Sequence, residues 1–223
     1  MKRLDKSTSR IRGMFAAIAP VYDLMNALMS AGAHAQWRRR AAKFCRGARR
    51  VLDVATGTGD MAAAVRAPVV GLDCTRPMLL RARRKYALPL VEADALRMPF
   101  RDGAFDAATV AFGVRNFADL DAGLRETARV LAPGGRLVIL ELVMPAAALP
   151  AAWLARGIPA LARAVVGRRA DAYAYLAASI ADFARAEDLR GRVAAAGFRD
   201  ARVTPLTFGF ACIVTGMKEG SRQ

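Results

Sequence analysis

Histidine and cysteine are scarce in this chain of 223 residues. His34 is the single histidine, and the three cysteines, Cys45, Cys74 and Cys212, lie far apart and form no C-x-x-C pair. A structural zinc site takes four closely spaced ligands of these types, so the sequence predicts no metal site. Scattered, odd-numbered cysteines favour a reducing compartment, and we expect a cytoplasmic protein.

Long hydrophobic runs are also missing. The most apolar stretch, residues 144–167, is interrupted by three prolines and two arginines. We therefore expect no helix that spans a bilayer. The first twelve residues are polar and basic, which is not the pattern of a secretory signal.

Acidic residues are few relative to basic ones. The chain has 19 Asp and Glu against 35 Lys and Arg, a net charge of +16. Such a charge attracts anionic membranes or nucleic acid. The basic residues are mostly arginine and are spread along an alanine-rich chain, so compositional bias explains the charge as well as peripheral membrane contact does. We expect no nucleic-acid partner, because no stretch combines basic residues with stacking aromatic ones.

The most informative stretch is residues 51–60, where an apolar strand ends in Asp53 and leads into a turn of small residues. Gly57 and Gly59 in this turn let a ligand approach the backbone, and the helix that begins at Asp60 offers free N–H groups. The spacing is not the G-x-G-x-x-G of nicotinamide dinucleotide sites, which argues against an oxidoreductase. An acid before a G-x-G turn is typical of doubly wound enzymes that use S-adenosylmethionine (SAM).

Two further acids follow the next two predicted strands. Asp73 ends the strand over 69–73, where a carboxylate can accept hydrogen bonds from ribose hydroxyls, and Asp94 with Ala95 follows the strand over 90–92. Carboxyl ends of parallel strands share one edge of a sheet, so these acids should line one crevice. The alternative is that they are ordinary loop and cap residues. The predicted cofactor-binding residues are Asp53, Thr56, Gly57, Thr58, Gly59, Asp73, Cys74, Met78, Asp94, Ala95 and Ala111.

Strands alternate with helices over the middle of the chain, which predicts an α/β fold with a doubly wound, mostly parallel sheet. The predicted strands cover 50–54, 69–73, 90–92, 107–112 and 137–142, with a Pro133–Gly135 turn before the last. Helices are predicted over 60–66, 77–86, 120–130 and 186–196, and two more strands over 200–205 and 210–215. We expect one domain: a mobile leader over 1–13 within an N-terminal helical cap over 1–45, a SAM-binding core over 50–142, a helical lid over 144–186, and a C-terminal part over 187–223.

Several motifs give the chain a more specific likeness. The runs from Tyr22 to Asn26 (Y-D-x-M-N) and from Phe112 to Asn116 (F-G-x-R-N) are the most distinctive, and R-V-L-x-P-G-G at 129–135 is common to many methyltransferases. Over nearly its whole length the chain resembles the ubiquinone/menaquinone biosynthesis C-methyltransferases. The resemblance implies a Rossmann-like class I methyltransferase fold, SAM as cofactor, and methylation of a ring carbon of a polyprenylated quinol. It implies peripheral contact with the inner membrane face and allows a homodimer.

The resemblance also implies catalytic residues, because a ring carbon becomes nucleophilic only when a neighbouring hydroxyl loses its proton. Arg115 and Asn116 could stabilise the resulting negative charge. For Arg115 the alternative is a surface ion pair with Asp119. Asp23, beside Tyr22, could accept a proton or could simply be a carboxylate at a helix terminus. His34 could contact the substrate or relay a proton, although a lone histidine is more often structural.

The lid could serve the acceptor and its tail. Tyr173 and Tyr175 are the candidate substrate-binding residues, with at least one of them expected in the core. The apolar side chains of residues 144–166 would line an entrance for a polyprenyl tail, and the arginines among them would meet lipid phosphates. The alternative is a helical hairpin packed on the domain. Two other functions stay open: a SAM-dependent methyltransferase for another small aromatic acceptor, and a non-catalytic SAM-binding assembly protein.

Overall fold

A seven-stranded sheet organises the molecule in the computed structural model, which describes residues 5–144, 152–166, 171–183 and 185–220. The strand order is β3-β2-β1-β4-β5-β7-β6. The first five strands run parallel, and β7 pairs antiparallel with both β5 and β6. The strands are β1 Val51–Val54, β2 Val69–Asp73, β3 Leu90–Glu92, β4 Phe105–Ala111, β5 Leu131–Leu142, β6 Phe198–Leu206 and β7 Ala211–Lys218.

Helices join these strands and precede them. The α-helices are α1 Thr8–Ile18, α2 Tyr22–Met29, α3 Ala33–Ala42, α4 Asp60–Ala64, α5 Arg76–Lys85, α6 Leu120–Val130, α7 Ile158–Val166, α8 Asp171–Asp182 and α9 Ala186–Ala195. Short 3-10 turns cover Ala19–Val21, Lys43–Cys45, Val114–Asn116 and Thr207–Gly209, and a π-helical turn covers Trp153–Gly157.

The buried strands divide their side chains between two cores, as the alternation of a pleated sheet requires. On β5, Leu137 and Ile139 pack with side chains of α6 and α9, whereas Val138 and Leu140 pack with side chains of α3 and α4. Helices therefore cover both faces, and the predicted doubly wound α/β fold is confirmed.

The predicted turn at Pro133–Gly135 is wrong as a boundary, because these residues lie inside β5. Phe105 pairs with Leu131, and Ala107 pairs with Arg136. An advance of two residues along β4 therefore corresponds to an advance of five residues along β5. Gly134, with φ of +74°, makes this bulge possible, because that conformation favours glycine. The strand thus begins six residues earlier than the hydrophobic run predicts.

The leader predicted over residues 1–13 is helical in its second half, since α1 begins at Thr8. Proline at position 20 ends this helix, as expected, and α2 follows at once. Ile18, Ala19 and Met25 pack against Met78 of α5, which fastens the N-terminal helices at the edge where β2 ends.

The predicted lid over 144–186 is only partly described, since residues 145–151, 167–170 and 184 lie outside the described ranges. Within it, α7 contacts α8, and Ile158 and Ile180 pack with Leu142 at the end of β5. Among the described residues no single helix is long and apolar enough to cross a membrane. The bent pair Thr8–Met29 and Ala33–Cys45 passes that test by length and composition alone.

Candidate functional site

Asp53 organises the turn that follows β1. Its carboxylate is fully buried and accepts hydrogen bonds from Thr109 Oγ1 (2.6 Å), Thr56 Oγ1 (2.6 Å) and the Ala62 N–H (3.1 Å). Burial raises the pKa of Asp53 to about 6, although these hydrogen bonds oppose the shift. Asp53 thus ties β1, β4 and α4 together beneath the turn.

The turn itself adopts left-handed backbone conformations that leave room above it. Ala55, Gly57 and Gly59 have φ of +54°, +56° and +85°. A Cβ atom built on Gly57 would meet no protein atom within 4 Å, whereas one on Gly59 would lie 3.1 Å from the Tyr86 ring. Gly57 is therefore the position where a ligand can approach the backbone, and Gly59 packs against α5.

Asp73 connects the end of β2 to this turn. Its Oδ2 accepts a hydrogen bond from the Gly57 N–H (2.9 Å), and its Oδ1 accepts one from the Thr75 N–H (2.7 Å). Burial raises the pKa of Asp73, and these two N–H groups oppose the rise.

The first cavity, of about 710 Å³ with the open solvent at its mouth included, lies at the carboxyl edge of the parallel strands. Seven of the eleven predicted cofactor residues line it: Gly57, Asp73, Cys74, Met78, Asp94, Ala95 and Ala111. Thr56 and Thr58 line a small neighbouring cavity of about 280 Å³ instead. Asp94 faces the N-terminal segment as well, since its Oδ2 accepts a hydrogen bond from Thr8 Oγ1 (3.1 Å).

The second cavity, of about 780 Å³ with open solvent included, adjoins the first, and four residues line both: Phe15, Tyr22, Phe112 and Asn116. Most of its wall is apolar, formed by α1, α2, the ends of β5 and α7, and the loop before β7. The apolar side chains are Met14, Phe15, Ile18, Met29, Trp37, Phe112, Leu142, Ile158 and Phe210.

Polar atoms without partners converge on this second cavity. Within the part of the chain that the structure describes, four such buried atoms belong to its wall: Asn26 Nδ2, Arg115 Nε, Asn116 Oδ1 and Tyr175 Oη. Leaving a buried polar group unpaired costs about 1–3 kcal/mol, so a cluster of four indicates a polar ligand.

Arg115 is buried, and its partner differs from the one the sequence suggested. Its Nη1 donates to Phe112 O (2.9 Å) and forms an ion pair with Glu141, a fully buried acid of β5. Burial raises the pKa of Glu141, and Arg115 opposes that rise. Asp119, the alternative partner, caps α6 by accepting from the Ala122 N–H (2.9 Å). Glu141 therefore holds the guanidinium with its Nε at the second cavity.

The structure places the N-terminal candidate catalytic residues, Tyr22, Asp23 and His34, in different surroundings. Tyr22 and His34 line the second cavity, but Asp23 lines neither the first nor the second cavity. Asp23 accepts hydrogen bonds from Thr58 Oγ1 (2.7 Å) and Lys85 Nζ (2.9 Å), and Lys85 also pairs with Asp60. The structure thus places Asp23 in an ion cluster that joins α2 to α4 and α5.

Of the two candidate tyrosines, Tyr175 lies in the wall of the second cavity, and burial raises its pKa although Arg115 opposes this. The side chain of Tyr173 lies outside the described residues. Sequence reasoning missed Asn26, Ser30 and Glu141. Asn26 stands in the distinctive Y-D-x-M-N run, which was a usable signal, whereas nothing in the sequence paired Glu141 with Arg115.

Comparison with known proteins places this site in context. The model of the ubiE/COQ5 methyltransferase family matches residues 3–218. A demethylmenaquinone methyltransferase of Thermus thermophilus is 48% identical over 219 residues, which cover 91% of this chain and 99% of that protein. A protein of the same name from Deinococcus radiodurans is 46% identical, with 93% and 92% covered. The ubiquinone/menaquinone biosynthesis C-methyltransferase UbiE of Geobacter sulfurreducens is 40% identical, with 98% and 92% covered.

Solved structures agree at the level of the fold. A SAM-dependent methyltransferase of Thermotoga maritima, described as a possible histamine N-methyltransferase, superposes with a TM-score of 0.69 at 19% identity. The match covers 93% of this chain and 99% of that one. At this identity the likeness concerns the fold alone.

Proposed function

Since the chain belongs to the ubiE/COQ5 methyltransferase family, we propose that it methylates a ring carbon of demethylmenaquinol, a polyprenylated naphthoquinol. The chain is a SAM-dependent methyltransferase. Two relatives at 48% and 46% identity carry the name demethylmenaquinone methyltransferase, which favours a naphthoquinol over a benzoquinol.

The observation that carries the proposal is the composition of the second cavity. One part of its wall presents four unpaired polar atoms, and the rest is apolar. A quinol has the same two parts, since its hydroxyl groups need hydrogen-bond partners and its ring and prenyl chain need apolar surface. The cavity adjoins the first one, so a ring held here lies beside the cofactor.

The first cavity fits SAM in its donor and acceptor groups. Asp73 retains lone pairs for ribose hydroxyls beyond the two N–H groups it already binds. Asp94 and Ala95 line the same cavity and are the proposed partners of the adenine. The open backbone at Gly57 suits the close approach of the amino-acid part. When bound, SAM supplies an electrophilic methyl group on a sulfonium sulfur.

The residues of the second cavity would activate the ring. The ring carbon gains electron density when a neighbouring hydroxyl becomes an oxyanion. Arg115 Nε and the Tyr175 hydroxyl can donate hydrogen bonds to that oxygen. Donors held in a buried site stabilise a developing charge more strongly than water does, because they need no reorganisation. Phe15, Tyr22, Phe112 and Asn116, which line both cavities, would hold the ring against the cofactor.

We also propose peripheral contact with an anionic membrane, where a polyprenylated substrate resides. Several apolar side chains are exposed near elements that line the second cavity: Leu24 and Leu28 on α2, Trp153 before α7, and Phe208 before β7. Arg156 and Arg163 of the lid segment are exposed as well. Arg168 and Arg169 lie outside the described residues.

The test is an anaerobic assay of the purified protein with SAM and two reduced acceptors, a demethylmenaquinol and the matching demethyl benzoquinol, analysed by mass spectrometry. We expect a ring-methylated naphthoquinol formed faster than the benzoquinol product. Binding of SAM without product from either acceptor would contradict quinol methylation and favour another small acceptor or a binding role.

Arg115 is tested in the same assay. Arg115→Ala should lose at least about 100-fold in turnover, as loss of an oxyanion donor does, while SAM binding persists. Because this change leaves Glu141 buried and unpaired, the variant should be unstable, by about 3–5 kcal/mol. The double variant Arg115→Met with Glu141→Gln leaves no unpaired buried charge, so it should fold but stay inactive. Arg125→Ala, at an exposed arginine, is the control.

A further inference from the structure

Ser30 and His34 form a hydrogen-bonded pair at the wall of the second cavity. Ser30 Oγ lies 2.8 Å from His34 Nδ1 and also accepts from the His34 backbone N–H (3.3 Å). The same hydroxyl donates its hydrogen to the carbonyl oxygen of Asn26 at 2.7 Å.

The positions of the hydrogens follow from counting them. A serine hydroxyl carries one hydrogen, and with that hydrogen directed at the Asn26 carbonyl, Ser30 Oγ can only accept from the imidazole. This arrangement assigns the hydrogen of the neutral ring to Nδ1 and the lone pair to Nε2. Within the part of the chain that the structure describes, Nε2 has no hydrogen-bond partner.

We infer that His34 Nε2 accepts the proton of the acceptor hydroxyl, and that Ser30 is the positioning residue that holds the ring in the Nδ1–H tautomer. The inference rests on the proposed function, since the acceptor must lose a proton there. In this step the O–H bond breaks, its electron pair stays on oxygen, and an N–H bond forms at Nε2. The protonated imidazole later releases the proton to water.

The other titratable groups of the cavity are poorer acceptors. The guanidinium of Arg115 presents only N–H donors. Burial raises the pKa of Tyr175, so its hydroxyl keeps its proton. Asp23 lies outside this cavity, and its oxygens already accept from Thr58 and Lys85.

The charges around His34 favour its neutral form. Burial is the largest influence and lowers the pKa of His34, and Arg38 and then Lys85 act in the same direction. Asp60 and Asp23 oppose them without reversing the shift. These surroundings thus favour the unprotonated ring, which is the form that a general base needs.

The first test reads the tautomer directly and needs no substrate. Because His34 is the only histidine, nitrogen-15 NMR of the tag-free protein reports one imidazole. We expect a protonated Nδ1 and an unprotonated Nε2 in the wild type, and a mixture of tautomers in Ser30→Ala. A wild-type ring protonated at Nε2 would overturn the inference, whatever the protein methylates.

The second test is kinetic. His34→Asn keeps a side-chain N–H that can reach Ser30 and removes the base, and turnover should fall about 100-fold or more with SAM binding unchanged. Ser30→Ala should lose about threefold to tenfold, the size of one hydrogen bond, and Ser30→Thr should restore the rate. Ser9→Ala, an exposed serine of α1, is the control.

The pH profile separates positioning from a merely structural role. Ser30 accepts from Nδ1–H and so stabilises the protonated ring, hence Ser30→Ala should move the acidic limb of kcat/KM to lower pH. A shift to higher pH would mean that Ser30 donates to Nδ1, and would overturn the assignment. A wild-type enzyme that turns over quinol while His34→Asn keeps full rate would contradict the inference alone. A wild type without turnover would instead contradict the proposed function.

Discussion

Asp53 of β1 and Asp73 of β2, two carboxylates at strand ends, have different roles in this molecule. Asp53 is fully buried beneath the turn, where it accepts from Thr56, Thr109 and the Ala62 N–H. Asp73 is held by two backbone N–H groups and still faces the first cavity. The first acid therefore shapes the turn, and the second is available to a ligand.

Removal of the Asp73 side chain should abolish measurable SAM binding. Charge-assisted hydrogen bonds contribute about 1.5–3 kcal/mol each, so we expect Kd to rise at least about 100-fold in Asp73→Ala. Isothermal titration calorimetry measures this, with Glu219→Ala, at an exposed acid, as control. Unchanged affinity in a folded Asp73→Ala protein would remove Asp73 from the cofactor site.

Asp53 should make the fold respond to pH. Its pKa is about 6 in the folded protein against an ordinary value of 3.8, so the folded state holds the proton more tightly. The stability that this group contributes is therefore full below about pH 4 and is lost as the pH rises through about 6. Asp53→Asn should remove this dependence, which urea unfolding of both proteins from pH 4 to 7 would measure. Parallel stability curves would contradict the assignment.

At the scale of elements, α1 and α2 form one wall shared by both cavities. Phe15 and Tyr22 line the two cavities together, and Thr8 bonds to Asp94 across the first one. Lys85 of α5 bonds to Asp23 of α2 and to Asp60 of α4. The ion cluster thus fastens this wall to the turn that follows β1.

Loss of Lys85 should loosen this wall. A partly buried ion pair contributes about 1 kcal/mol, so in Lys85→Met we expect SAM to dissociate about threefold to tenfold faster. Limited proteolysis within residues 8–29 should also be faster. Stopped-flow displacement measures the dissociation rate, with the exposed Lys43→Met as control. Equal dissociation rates would show that the cluster does not hold the wall in place.

At the scale of the whole molecule, the net charge of +16 and the exposed apolar side chains would act together in the proposed contact with an anionic membrane. Phe208 is 89% exposed and has a φ of +52°, which is unusual for a residue other than glycine. An aromatic side chain held in solvent in this way suits insertion into a membrane surface.

Binding to vesicles should need both charge and Phe208. We expect sedimentation with vesicles that contain an anionic lipid, weaker binding at high salt, and little binding to neutral vesicles. Burying a phenylalanine contributes about 1.5–3 kcal/mol, so Phe208→Ser should weaken binding at least about tenfold. Leu80→Ser is the comparison, since Leu80 is exposed on α5, a helix that contributes nothing to the second cavity. Equal binding by both variants would exclude Phe208 as the contact.

The sequence by itself determined the fold class and the cofactor. Alternating strands and helices, with acids at three strand ends, need only local periodicity and the rule that parallel strands share an edge. The β2 and α6 boundaries follow in the same way and match the structure residue for residue. These features depend only on residues that are close together in the chain, so a single sequence is enough to predict them.

Only the tertiary structure decided what surrounds the second cavity. Glu141 meets Arg115 across 26 positions because β5 lies beside β4, and Asp23 meets Lys85 across 62. The Ser30–His34 pair is local, but its exposure to the cavity depends on where α2 and α3 pack. Burial and long-range pairing set which polar atoms lose water and which find a partner, and no local pattern records that.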